Sequence, residues 1–244
     1  MIMVNLNKLL LFFLTIVCVS LLETQDALAA GGGGMSLGVG ISTVSASQDD
    51  MNGAIDDAVA AGATVKNLGS AWDIYGDWTY RFSSSIFAIV FRPSYFTQST
   101  DGSGPAGSYS YKLTGYTVVP IFRFYPLENS FIKFFMQTGI GYGSLNGEIS
   151  AGGKSLDFKG SSFGAIGGIG VQFCFTPSHC MNVEGNLRYM PIERNLTTSG
   201  NCAAAGEIPG ISQCGGDKEV ERNNADLKTT LSGVQGIIGY SFNF

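Results

Sequence analysis

His179 is the only histidine of the chain, so any search for acid–base or nucleophilic chemistry starts there. A general base needs a nucleophile within reach and a group to orient it. The stretch "TPSHC" at 176–180 reads as a short turn, with no nucleophile and carboxylate pair set around the ring. A solvated turn histidine is the simpler reading. The runs "GIGYGS" (139–144) and "GAIGGIG" (164–170) have the glycines of a phosphate cradle but no helix following them, and a phosphate loop requires that helix. Glycines inside strands, where backbones approach closely, account for them better. "SQDD" at 47–50 is a weak oxygen set for calcium, and "NLT" at 195–197 is a glycosylation pattern that arises often by chance. The sequence therefore points to a non-enzymatic protein, with no catalytic residue, no cofactor and no metal site.

Four further cysteines could do redox or metal chemistry: Cys174, Cys180, Cys202 and Cys214. Cys174 and Cys180 flank the short turn with matching parity, and directly opposed strand residues lie about 4.5–5.5 Å apart at Cα, within disulfide reach. Cys202 and Cys214 lie in one long connection. Pairing neighbours is favoured, because the other pairings and a four-cysteine metal site would join opposite ends of the molecule. A fifth, Cys18, lies in an amino-terminal stretch that reads as an export signal. There Lys8 precedes the apolar core "LLLFFLTIVCVSLL", and "ALAA" at 27–30 offers small residues for cleavage near Ala29 or Ala30. The expected organisation is a signal peptide over 1–30, a glycine linker over 31–34 and one domain over 35–244. Export would leave the four cysteines in an oxidising compartment.

The remaining charges are sparse and fall on alternate positions, which identifies the elements that carry them. Only 14% of residues are charged, 34 are glycine and 12% are aromatic, a composition that suits strands and turns better than helices. The net charge of −5 argues against nucleic acid as a partner. In 72–82, Trp72, Ile74, Trp78, Tyr80 and Phe82 oppose Asp73, Asp77 and Arg81; in 181–189, Met181, Val183, Leu187 and Tyr189 oppose Asn182, Glu184, Asn186 and Arg188. Such period-two patterning marks strands. It recurs at 35–46, 72–82, 86–96, 109–125, 131–148, 161–175, 180–195 and 228–244, making eight segments. Several reach ten residues or more, the length of a tilted bilayer-crossing strand. Connections alternate between short (83–85, 126–130, 176–179) and long (47–70, 98–108, 149–160, 196–227). That asymmetry belongs to outer-membrane barrels, whose short turns are periplasmic and whose long loops are extracellular.

With these eight strands, the signal sequence and the ending "YSFNF", the chain resembles the small eight-stranded outer-membrane β-barrels typified by OmpA's transmembrane domain and OmpX. The expected fold is all-β, an eight-stranded antiparallel up-and-down transmembrane barrel in the outer membrane of a Gram-negative bacterium. The resemblance implies that Tyr240, Phe242 and Phe244 form the signal read by the barrel assembly machinery, and that outer-membrane lipid covers the apolar face. On that fold, strand parity points Asp73, Asp77, Arg81, Arg92, Arg123, Lys133, Glu184 and Arg188 into the lumen, with Gln137, Gln172 and Gln235. The interior of eight strands is only wide enough for side chains to fill. Five cations and three carboxylates would have to pair there as a polar plug. The expected function is structural and surface-displaying. The alternatives are a small pore or OmpW-like transporter, against which a polar interior counts, and an adhesin or receptor binding a surface ligand through loops 47–70 and 196–227. In the first loop "NGAIDDAVAAGATVKN" (52–67) could form a helix, and in the last "GGDKEVERNNADLK" (215–228) reads as solvated. Replacing Phe244 or deleting "SFNF" is expected to lower the amount of folded barrel in the outer membrane, measured by heat-modifiable migration; unchanged levels would reject the terminal signal.

Overall fold

The computed structural model of the protein describes residues 34–83, 85–216 and 218–244; the expected signal peptide lies outside them. The elements in chain order are β1 (Met35–Ser45), α1 (Asp49–Ala60), β2 (Ala71–Arg81), β3 (Phe87–Gly104), β4 (Gly107–Glu128), β5 (Ile132–Ala151), β6 (Lys154–Cys174) and β7 (His179–Tyr189). Short strands follow: β8 (Pro191–Ile192), β9 (Leu196–Gly200), β10 (Ile211–Gln213), β11 (Glu221–Arg222), β12 (Ala225–Asp226) and β13 (Thr229–Thr230), before the long β14 (Gly233–Asn243). Strands β1 to β7 and β14 each pair antiparallel with their neighbours, and β14 closes on β1 from Ser36↔Asn243 to Ser45↔Val234. Closure removes the exposed edges that an open sheet would present.

Alternation decides which face each residue takes. Along β7 every second residue is buried, with Leu187 and Val183 exposed and Glu184, Asn186 and Arg188 buried. The outward residues form a belt. At one end stand Trp72, Tyr95, Tyr116, Tyr142, Phe163 and Tyr189, at the other Tyr80, Phe87, Phe131, Phe175 and Tyr240, with Ile41, Ile74, Ile140, Val183 and Ile238 between them. Aromatic girdles flanking an aliphatic band are the outer surface of a membrane barrel, whereas a soluble monomer rarely exposes so large an apolar patch.

Two expected loops are strand. The chain continues in β structure through 98–108 and 149–160, turning only at Pro105–Ala106 and at Gly152–Gly153. Both of those glycines have positive φ, 60° and 83°, as a tight two-residue hairpin requires. What changes is the chemistry of the two faces, not the ladder. On β4 the inward residues Tyr109, Tyr111 and Leu113 are buried and apolar, while the outward Ser110, Lys112 and Thr114 are polar. From Tyr116 onward the outward face turns apolar, and Thr117 and Arg123 are buried inside. On β5 the same exchange falls at Tyr142 and Ser144, and Ser144 pairs with Tyr116. Water lies outside the wall on one side of that level and an apolar medium on the other.

Beyond it, the long hairpins, α1 and residues 190–216 and 218–231 fold into a head with its own apolar core. Met51, Ile55, Tyr111, Ile149, Phe158, Ile208, Val220 and Leu227 are all buried in it. Helix α1 starts earlier than 52 because Asp49 and Asp50 occupy its first turn, where carboxylates favour the positive end of the helix dipole. It buries Met51, Ala54, Ile55 and Ala58, the i, i+3, i+4, i+7 stripe of an amphipathic helix. The "SQDD" residues dock this helix: Gln48 bonds both ways with the Thr230 backbone (2.7 and 3.0 Å), and Asp50 accepts the Lys228 N–H at 2.8 Å. The charged segment keeps its charges at the surface, as expected, but the described residues 218–228 are also folded onto the head. Val220 and Leu227 are in the core, Arg222 reaches Asp57 at 3.0 Å, and Asn223–Asn224 make the β11–β12 turn.

The belt makes a graded prediction. Ile238→Arg, in the middle of the aliphatic band, is expected to cost about 2–4 kcal/mol of stability in lipid vesicles, and Leu187→Arg, beside the Tyr189 girdle, distinctly less. Urea unfolding read by heat-modifiable migration measures both; equal costs would mean the belt is placed at the wrong depth.

Candidate functional site

The inward faces of β2, β3, β4, β5 and β7 converge on Arg92. Its Nε and Nη2 donate to the two carboxylate oxygens of Asp77 at 2.6 and 2.7 Å. Its Nη1 and Nη2 donate to Glu184 at 2.8 and 2.9 Å. Both pairings are fork to fork, the strongest arrangement open to a guanidinium. The flat face of the same group lies over the Tyr75 ring, 4.5 Å from its centroid. Arg123 supports the cluster from β4: Nη2 donates to Glu184 at 3.2 Å, while Nε and Nη2 both donate to Gln137 at 3.0 and 2.8 Å. Gln137 passes the connection on, donating to Glu184 and to Asn186, each at 2.8 Å.

Nearer the head is a second cluster. Arg188 Nη1 donates to Asp73 at 2.7 Å and its Nε to the Leu231 carbonyl at 2.5 Å. Gln235 joins Asp73 (3.2 Å) to Ser42 (2.8 Å). Between the clusters and the β3–β4–β6 wall the lumen is apolar, packed by Val90, Val119, Ile121 and Ile166. The interior is therefore less polar than the alternation of charged residues implied. Strand parity locates inward positions, but the charged ones are easier to notice than the aliphatic ones.

Arg81 and Lys133 stand apart from both clusters, at the short-turn mouth. Arg81 pairs with Glu128 at 2.6 Å and lies over the Tyr125 ring; both partners are partly exposed. Glu128 was not among the residues read from the sequence, because it sits at the strand end where parity is a weak guide. Removing these two cations leaves three arginines and three carboxylates buried in the lumen: Arg92, Arg123 and Arg188 with Asp73, Asp77 and Glu184. The buried interior is formally neutral. Around it the glycine runs make room for side chains, since a Cβ at Gly170 would meet the Phe135 ring and one at Gly143 would meet Met190 and Leu231.

The cysteines form Cys174–Cys180 and Cys202–Cys214. The first joins directly paired residues of β6 and β7, and the second staples the head. His179 faces outward, with Nδ1 bonded to the Tyr240 hydroxyl and its ring 5.2 Å from that of Phe242. The rings of Phe242 and Phe244 lie nearby, tilted to each other with centroids 6.2 Å apart. In the head, the hydrogen bond from Lys154 (2.7 Å), together with the N–H groups of Ala203 and Ala204, holds the Glu207 carboxyl down at about 2. Among the described residues no group of three or more His, Cys, Asp or Glu side chains could hold a metal ion.

Neither a protein-family model nor a curated protein sequence matches the chain. Among solved structures, it is similar to the outer membrane protein OprG from Pseudomonas aeruginosa, with a TM-score of 0.59 and 14% identity over 88% of this chain and 98% of that one. The chain has the outer-membrane β-barrel fold. Two structures of Ail, the attachment invasion locus protein of Yersinia pestis, align less closely. The one in complex with the heparin analogue sucrose octasulfate gives a TM-score of 0.42 at 13% identity, over 87% of this chain and 99% of Ail. The other gives 0.39 at 15%, over 88% of this chain and 100% of Ail.

Removing one partner of a buried, multiply bonded pair strands the other charge. Arg92→Ala is accordingly expected to lower stability by about 3–5 kcal/mol, and Arg81→Ala, whose pair is partly exposed, by no more than about 1 kcal/mol. Denaturant unfolding of the two variants in the same vesicles checks the contrast.

Proposed function

We propose that this chain is a non-enzymatic barrel of the Gram-negative outer membrane that seals its own lumen and holds a folded head on the outer surface. The observation that carries this reading is the buried set of three arginines and three carboxylates interlocked across the barrel. A water-filled path would leave such groups hydrated and separable. Here Arg92 is bonded to both Asp77 and Glu184 and stacked on Tyr75, all at once. Above the charge clusters the apolar core of the head stands as a second barrier in series. The short-turn end then faces the periplasm, as the asymmetry of the connections implies. The export signal over 1–30, outer-membrane lipid around the belt, and recognition of Tyr240, Phe242 and Phe244 by the assembly machinery belong to the same proposal.

A small pore or transporter of apolar molecules fits less well, because both barriers would have to open. A surface receptor fits as an elaboration, with the head supplying the contact surface from 47–70 and 196–227. Planar-bilayer conductance tests the sealed-lumen reading. Wild type is expected to stay at the leak level. Arg92→Ala alone should also stay low, and channel openings should appear when Arg92→Ala is combined with deletion of 196–227. Steady conductance by the wild type would overturn the proposal.

A further inference from the structure

The short-turn mouth of the barrel holds a cavity of about 140 Å³, lined by Arg81, Arg123, Lys133, Gln172 and Asn182, with Asp77 at its lumenal side. Its charges are unequally satisfied. Both oxygens of Asp77 are held by Arg92, so that carboxylate is already neutralised. Glu128 stands directly opposite Lys133 in the β4–β5 ladder, yet its carboxylate is taken by Arg81 at 2.6 Å. Lys133 is thus left without an ion-pair partner within 4.0 Å among the described residues. Arg123 makes its lumen bonds through Nε and Nη2, with Nη1 outside them.

The inner wall beside the cavity is polar as well. Lys133, Gln172 and Asn182 are successive partners across β5, β6 and β7, and so form one row on the inner wall. Gln172 donates to Ser241 at 2.9 Å, which fixes it. Asn182 is 3% exposed, and its amide oxygen has no hydrogen-bond partner. That oxygen is an acceptor, so Asn182 adds no donor to the cavity. The Lys133 ammonium, outside any ion pair, and the Arg123 guanidinium, with Nη1 outside the lumen bonds, are donors lining the same cavity. Donors without acceptors call for an anion.

We propose that this vestibule binds a small oxyanion, of the phosphate or carboxylate class, with Lys133 as its main charge and Arg123 as a further donor. The cavity has room for a single tetrahedral or planar anion, not for a chain of them. The site lies outside the seal formed by Arg92 and Glu184, so it stands whether or not the lumen conducts. If the source of the group is a lipid, only its phosphate headgroup enters.

The test is calorimetric titration of inorganic phosphate into the full-length protein in a phosphorus-free maltoside detergent, after lipid extraction and phosphorus assay. Wild type is expected to bind phosphate saturably with one site. Lys133→Gln should weaken binding by about tenfold or more, the loss typical of a charge-assisted bond, while Lys133→Arg should largely restore it. Lys66→Gln, a charge removed in the head, should change nothing, and unaltered heat-modifiable migration shows that each variant is folded. One phosphorus per chain retained until lipid is extracted, with phosphate binding only afterwards, assigns the site to a headgroup. Binding without such retention assigns it to a free anion. No saturable binding by the extracted wild type, or equal binding by Lys133→Gln, overturns the proposal.

Discussion

Charge cannot be left unpaired inside a wall that excludes water, and the interior of this barrel is organised around that constraint. Arg92 meets it most fully, giving four N–H···O contacts to two carboxylates and a ring face to stack on. The other polar groups are arranged so that Arg92's partners are themselves supported. Glu184 is shared with Arg123 and Gln137, and Gln137 continues to Asn186. The outcome is a lumen whose formal charge sums to zero without any ion from outside. The barrel wall, with its aliphatic band and aromatic girdles, supplies the dry surroundings that make such pairing necessary.

Much of this was legible in the sequence because the strand period is two. Once Leu187 is assigned to the outer face, Glu184 and Arg188 must be inside, and so must Asp73 and Asp77 once Trp72 and Trp78 are outside. The disulfides could be anticipated for the same reason, since matching parity across a short turn puts Cys174 beside Cys180. Parity says nothing, however, about distance along the barrel axis. It placed Arg81 and Lys133 with the buried charges, although both belong to the mouth. It also gave no sign of which carboxylate Arg92 would prefer, because that depends on shear and tilt.

The head was the least legible part. At 98–108 and 149–160 the alternation weakens, and those stretches read as loops. The physical reason is an exchange of solvents. Below Tyr116 and Tyr142 the outer face must be apolar, and above them it must be polar, so a pattern tuned to one medium dissolves into the other while the ladder continues. The charged stretch 215–228 misled in a related way. Its Glu219, Arg222, Asp226 and Lys228 form ion pairs on the surface of the head, while Val220 and Leu227 tie it to the core.

Strand β7 carries Glu184 and Arg188 four residues apart, and this has a consequence for the order of assembly. Before β7 docks, Asp73 has no cation, and Arg92 and Arg123 share the single carboxylate of Asp77. A barrel at that stage must keep water around its charges, so it stays swollen and open. The arrival of one strand supplies the missing anion and the missing cation together, and only β14 remains to be added. Drying of the interior therefore requires β7 to be in place, and a chain that stalls before β7 has no dry state to settle into.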